Sequence, residues 1–349
     1  MTLLIERPKA ATGARGSEQR LRLGLYALMV LLAVVTAAAL GLALGSRALP
    51  PGQVLDALRG REAGDASIIV LDQRLPRTLL GLLVGAALGV GGAVAQALTR
   101  NPLADPGLLG VSAGAALAIV SGTFLFGVTT LASQLLLATA GAALAGGAVL
   151  LLGNGAAVAR TPQGLALVGV ALSAVLGSTA STVVLLDAQT LDEYRFWLVG
   201  SLAGRGTSLT AVAPVLLLGA VLSWLSARSL DALALGEDSA QALGVRLRRA
   251  RLLAGAAVVV LTGTAVAAAG PLAFLGLAVP HAARALSGPR TAWLLAFSAG
   301  LGAVLLVLAD VVGRLVLRPN ELPAGVVTAL IGAPLALVLL RRTRPGVAS

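Results

Sequence analysis

The chain has 349 residues, of which 57% are hydrophobic and only 12% charged, about half the charge of a soluble domain. Its 43 glycines lie scattered in long Leu-, Ala- and Val-rich runs, which excludes collagen-like and disordered polymers and implies a polytopic membrane protein. Without cysteine there are no disulfides, thiolate metal sites or cysteine nucleophiles, and with one histidine, His281, no protein-held metal site is expected.

Residues 1–21 form a basic tail. The apolar run behind it is too long for a signal-peptide core and lacks a small-residue cleavage site, so a retained helix is expected. A helix crossing roughly 30 Å of hydrocarbon needs about 20 apolar residues. Ten segments qualify: 22–44, 78–98, 107–126, 131–152, 164–186, 207–227, 250–269, 271–286, 292–312 and 323–340. The expected fold is all-α, a polytopic bundle of about ten transmembrane helices forming one domain over 22–349. The eighth segment is the shortest and is entered through Gly270-Pro271, a turn or kink signal.

With the amino terminus inside, 17 of the 26 cations fall on the cytoplasmic side, which predicts that both termini are cytoplasmic. The arginine excess then reports topology, and no nucleic-acid partner is implied. In the second segment Gly81, Gly85 and Gly89 recur every four residues. This places them on one helix face, where another backbone can approach closely.

Between the spans, four loops carry more than a connector needs. The outer loop 45–77 contains a short helical stretch near 54–59 and ends in Arg74-Leu-Pro-Arg77, two cations beside a helix start. Snorkelling to lipid phosphate and a cationic contact for an acidic partner both fit that spacing. In the cytoplasmic turn 100–107, Asn101, Pro102, Asp105, Pro106 and Gly107 form a rigid reversal. The outer loop 187–207 clusters Tyr194, Phe196 and Trp197, which suits an interfacial aromatic belt and also contact with a ligand entering the outer mouth, the belt being the preferred reading.

The inner loop 228–249 holds Leu235, Gly236, Glu237, Asp238, Ala242, Leu243, Gly244 and Val245. Two acids in a first turn and a closing glycine predict a short helix. Such a helix is marginal in water alone and must pack on the protein's own rim or on a separate soluble subunit.

The fifth segment carries a hydroxyl face, including Ser178, Ser181 and Thr182. It is compatible with a water-lined path and equally with bonds to carbonyls one turn back. Asp310 can pair with Arg314 or mark an ion-coupled site, as in a secondary transporter. No phosphate loop, H-E-x-x-H or G-x-S-x-G motif is present, so no ATP hydrolysis or other catalysis by this chain is expected.

Four stretches carry a resemblance: Arg74–Arg77, Asn101–Ser112, Phe274–Arg284 (with Pro280 and His281) and Glu321–Pro334. Together and in this order they resemble FecCD-type permeases, the membrane subunits of ATP-binding-cassette importers for iron–siderophore complexes, haem and cobalamin. The resemblance implies a type II importer fold of two inverted repeats and a second permease subunit, identical or paralogous. It also implies two cytoplasmic ATPase subunits that bind ATP and Mg, an external substrate-binding protein, and no cofactor in this chain. Arg74, Arg77 and Arg314 would dock that binding protein, and the coupling helices at 230–245 would enter the ATPase. The fifth and tenth spans would line the path, with Ser178, Ser181, Thr182 and Thr328 as candidates. The implied location is a bacterial cell membrane, and the implied cargo is an iron(III)–siderophore complex, with cobalamin or haem as alternatives. The inverted repeat is echoed faintly by Pro102–Gly110 and Pro271–Gly276, two Pro/Gly-interrupted stretches predicted on opposite sides of the membrane.

Overall fold

A computed structural model describes residues 11–61, 64–155 and 162–342. The tail cations Arg7 and Lys9 and the loop cation Arg160 lie outside the described residues. The helices in chain order are α1 (Ala11–Ala43), α2 (Pro51–Leu58), α3 (Asp65–Ser67), α4 (Leu75–Thr99), α5 (Val111–Phe126), α6 (Leu131–Gly155) and α7 (Pro162–Val184). After them come α8 (Ala188–Leu198), α9 (Leu209–Ala234), α10 (Glu237–Ala242), α11 (Leu247–Ala269), α12 (Leu275–Ser287), α13 (Thr291–Val316) and α14 (Ala324–Arg342).

Among the described residues, seven helices are long and apolar enough to cross a membrane, and two shorter apolar helices lie at 111–126 and 324–334. The bundle is all-α, as the hydrophobic runs predict. The largest boundary differences from the sequence reading lie at two helix starts. Helix α1 reaches back to Ala11, so half of the predicted tail is helical. The second span starts at Asp65 rather than 78, running through a π-helical turn over Ile68–Arg74 into α4. Its extension is held because Val70 packs with Val54 and Ala57 of α2 in a small apolar cluster.

The eighth predicted span is corrected more strongly. Helix α12 has 13 residues, roughly 20 Å at 1.5 Å per residue, and is too short to cross. Helix α11 stops at Ala269 because Gly270 and Phe274 both adopt positive φ (78° and 65°) around Pro271, leaving 270–274 irregular. Pro280 lies within α12 and has no N–H to offer the Gly276 carbonyl. The buried Gln96 of α4 reaches this place instead, its Nε2 donating to Leu277 O at 3.2 Å and, more weakly, to Gly276 O at 3.5 Å.

Helix α4 is the central stave, packed against α13, α11, α12 and α9. The predicted glycine face is real. A Cβ on Gly85 would lie 2.8 Å from the Gly302 carbonyl carbon, one on Gly89 3.0 Å from that of Ser298, and one on Gly81 3.0 Å from Leu202. The same face continues to Gly92, where a Cβ would come within 2.6 Å of the Gly276 carbonyl carbon. In lipid such backbone contact supplies the van der Waals packing that holds helices together. Helix α1 is peripheral, with Leu25, Leu28, Leu32 and Val35 exposed. Helices α8 and α10 lie at opposite ends of α9 and mark the two faces of the bundle.

Candidate functional site

Three places converge chemistry. The first is a cavity of about 860 Å³ that is open on one side, where Leu330 and Leu198 are exposed. Its lining comes from the two irregular stretches, through Pro106 and Gly107 on one and Pro271, Leu272 and Ala273 on the other, and from α14, through Val326, Ala329, Leu330 and Ala333. The first stretch also touches the start of α12, since a Cβ on Gly276 would be 2.7 Å from the Pro106 ring.

The turn 100–110 that feeds the cavity is built as the sequence predicts. Arg100 ends α4 in the left-handed region (φ 49°), Asn101 Oδ1 accepts from Leu103 N at 2.9 Å, and Asp105 Oδ1 accepts from Gly107 N at 2.7 Å. Asp105, Ser112 and Thr262 are the side chains that bring oxygen to an otherwise aliphatic lining. Burial pushes the Asp105 carboxyl up, and the Gly107 N–H only partly offsets this. Leu198 and Val199 close the end toward α8. The aromatic loop is therefore more than a belt: Trp197 is buried, stacked near Tyr194, while Phe196 is exposed. Such a surface offers a large ligand width and few polar anchors.

The second place is a polar pocket of about 280 Å³ on the α8 face, lined by Arg47, Gln73, Arg74, Arg77, Arg314 and Glu321 among others. Arg77 clasps Asp310 at 2.7 and 3.0 Å and reaches Glu321 at 2.7 Å. Arg314 meets the same Asp310 at 2.9 Å. Arg74 and Arg314 also donate to carbonyls at the end of α1, Leu42 O and Ala43 O at 2.9 Å and Gly41 O at 3.0 Å. Those carbonyls have no partner within the helix, and cations suit that end of its dipole.

In the loop after α13, burial alone would push the Glu321 carboxyl up. The hydrogen bond and charge of Arg77, helped by Ser46 and Arg314, more than reverse this and hold it below its ordinary value. Cations still outnumber acids in the pocket.

The third place is the α10 face. Glu237 turns inward and joins Arg100 at 3.0 Å to Arg251 at 2.7 Å, tying α10 to the ends of α4 and α11. Asp231 accepts from Thr291 N at 2.8 Å and so caps α13. Ala240 is buried, and Gly244 (φ 82°) closes α10 with Gly244 N donating to Gln241 O and Val245 N to Ala240 O, a Schellman arrangement. Leu235 and Leu243 are each 67% exposed. This leaves an apolar pair held out beside an element anchored to α4 and α11.

The FecCD transport family model matches residues 28–342. The chain belongs to this family. It is 46% identical over 319 residues to the ferric enterobactin transport system permease protein FepD of Escherichia coli (strain K12), covering 91% of this chain and 95% of that one. It is 44% identical over 277 residues to the Fe(3+) dicitrate transport system permease protein FecD of the same organism, covering 79% and 86%. Its fold superposes on an inward-facing metal-chelate type ABC transporter with a TM-score of 0.79 at 30% identity, covering 91% of this chain and 99% of the other.

Set in this FecCD permease, the residues singled out from the sequence divide. Gly81, Gly85 and Gly89 pack as expected, and Pro106, Gly107 and Asp105 do more than reverse the chain, since they line the cavity. Asn101 and Pro102 stay exposed in the turn, Pro280 is buried, and His281 lies on the exposed side of α12.

Two groups of candidates sit deeper than the surface or away from the cavity. Arg74 and Arg314 are 4% and 2% exposed, because the α1 carbonyls and Asp310 draw them inward. They line the pocket without projecting from the surface. None of Ser178, Ser181, Thr182 and Thr328 lines the cavity. Thr182 donates back to Ser178 O at 3.0 Å on an exposed face of α7, and the buried Thr328 donates to Gly325 O at 3.0 Å.

Sequence reasoning missed Pro271–Ala273, Ala329 and Ala333 as cavity residues, and Arg47 and Glu321 as pocket residues. The paired Pro/Gly interruptions were the available signal for the first group.

Proposed function

We propose that this chain is the membrane-spanning subunit of a bacterial ATP-binding-cassette importer for an iron(III)–siderophore complex. Family membership supports the class, and the single observation that carries the mechanism is the 860 Å³ cavity between the two broken stretches and α14. A bulky chelate needs a wide, weakly binding lining, and few polar groups converge here. Selection then falls to an external binding protein, and ATP with its Mg is bound by two separate ATPase subunits. Both termini and α10 face the cytoplasm, in keeping with the arginine distribution. The exposed faces of α7 and α14, with Val175 and Leu330, suit a second permease subunit.

In this reading a carboxylate of the binding protein enters the Arg74–Arg77–Arg314 pocket. Glu321 competes with it for Arg77. Leu235, Ala242 and Leu243 seat in the ATPase, and Glu237 passes its movement to α4 and α11, so that the bundle alternates between openings. Asp310 is clasped by two guanidiniums, which favours a structural carboxylate over the ion-coupled reading.

The test is uptake of iron-55 enterobactin into proteoliposomes holding the permease with its ATPase and binding protein. Uptake should require ATP and both partners. Uphill accumulation by vesicles that lack the ATPase would refute the proposal.

A further inference from the structure

Between α6 and the first half of α11 runs a groove of about 740 Å³ that neither the cavity nor the docking surfaces use. Its walls are aliphatic, with Leu150 and Leu151 on one side and Leu252 and Leu253 on the other. Gly147 opens it further, since a Cβ there would meet nothing within 4 Å. The end toward α10 has a different character: Arg246, Arg248 and Arg249 all line it and all are exposed.

No ion pair among the described residues involves any of the three, whereas their neighbour Arg251 is held by Glu237. Three like charges this close repel one another. The first turn of α11 holds no acid either, so its positive dipole end adds to the repulsion. A bare topology signal needs no groove. Here the charge and the groove together specify a molecule with an anionic head and an alkyl chain.

We infer that this groove binds one anionic phospholipid of the cytoplasmic leaflet. Its phosphate sits among Arg246, Arg248 and Arg249, and the start of an acyl chain lies between α6 and α11 over Gly147. The leaflet assignment rests on the orientation proposed above. The groove borders α10 through Arg246 and α11, so the lipid would brace the segment that carries ATPase movement into the bundle.

The experiment is native mass spectrometry of the full chain, purified in a non-ionic detergent and offered equal phosphatidylglycerol and phosphatidylcholine. Wild type should retain one phosphatidylglycerol per chain. R246Q/R248Q/R249Q should lower that retention by about tenfold or more. G147F leaves the arginines untouched and fills the groove, and it should lower retention too, which keeps the test open if the triple variant does not fold.

Unchanged retention in a folded triple variant overturns the inference. So does displacement of the lipid by millimolar inorganic phosphate with G147F behaving as wild type, which would mark a free-anion site. So does a triple variant that keeps its lipid but no longer co-purifies the ATPase, which would assign the arginines to a protein interface. ATP-driven uptake by the same variants reports separately on the permease reading, and intact uptake with lost lipid would leave that reading standing.

Discussion

The two faces of the permease carry charge in opposite ways. On the α8 face the guanidiniums of Arg74, Arg77 and Arg314 are drawn inward around Asp310 and the end of α1, leaving a small cation-rich pocket. On the α10 face the paired charge lies behind the apolar surface, where Glu237 fastens α10 to Arg100 and Arg251, and apolar Leu235 and Leu243 are held outward. A polar pocket favours fast, salt-sensitive, reversible capture. An apolar pair favours an association that lasts. Under the function proposed above, the contrast would suit a binding protein that comes and goes and a motor that stays.

The sharpest way to break this comparison is Asp310→Asn. It strips the buried Arg314 of its only carboxylate partner among the described residues and leaves Arg77 with Glu321 alone, and thermal unfolding of the purified chain should show a loss of about 3–5 kcal/mol. A variant that unfolds like wild type would mean that the α8 face is not held by this cluster. Next in size is Leu235→Asp with Leu243→Asp. Exposed residues can change without harming the fold, so the melt should stay put while ATPase co-purification falls by about tenfold or more. Retained ATPase would move the contact elsewhere.

Glu237→Gln should be milder, because its partners are part-exposed and such pairs contribute about 0.2–1 kcal/mol each. The complex should assemble, yet ATP hydrolysis should no longer be matched by uptake, as a ratio of the two rates would show. Glu321→Gln sharpens the other side, since it frees Arg77 and should tighten binding-protein capture several-fold, most at low salt. The exposed, pocket-lining Arg47 gives the opposite control, and Arg47→Glu should weaken capture without lowering the melt.

The smallest effect is a pH dependence. The Glu321 carboxyl is held below its ordinary value, so its stabilisation is present above the usual glutamate range near 4.3. It fades as pH falls through the lowered value. The melting difference between wild type and Glu321→Gln should be small and constant at neutral pH and should shrink in acid.

Most of the bundle was readable because lipid imposes a length rule on apolar runs, and the glycine face and the Asp105 turn followed from spacing and side-chain chemistry. The failures have physical causes. A hydropathy window cannot see that Gly270 and Phe274 interrupt a helix through backbone angles, so α12 passed as a span. Counting charge by side could not show that Arg74 and Arg314 would be consumed by carbonyls of α1, a contact set by tertiary approach. Spacing alone left the α7 hydroxyls with two readings, and only the structure shows that Thr182 makes the bond one turn back. The cavity residues are mostly Ala, Leu and Gly, whose role depends wholly on where two breaks meet.

The glycine contacts of α4 set the character of the machine's moving parts. Gly85 and Gly89 rest on the main chain of α13, and Gly92 rests on that of α12, with no space for a methyl group. Three staves fitted that closely cannot slip past one another, so they must travel as a single plank. Whatever widens the passage is then left to the lighter timbers around it: the start of α5 and the length of α14.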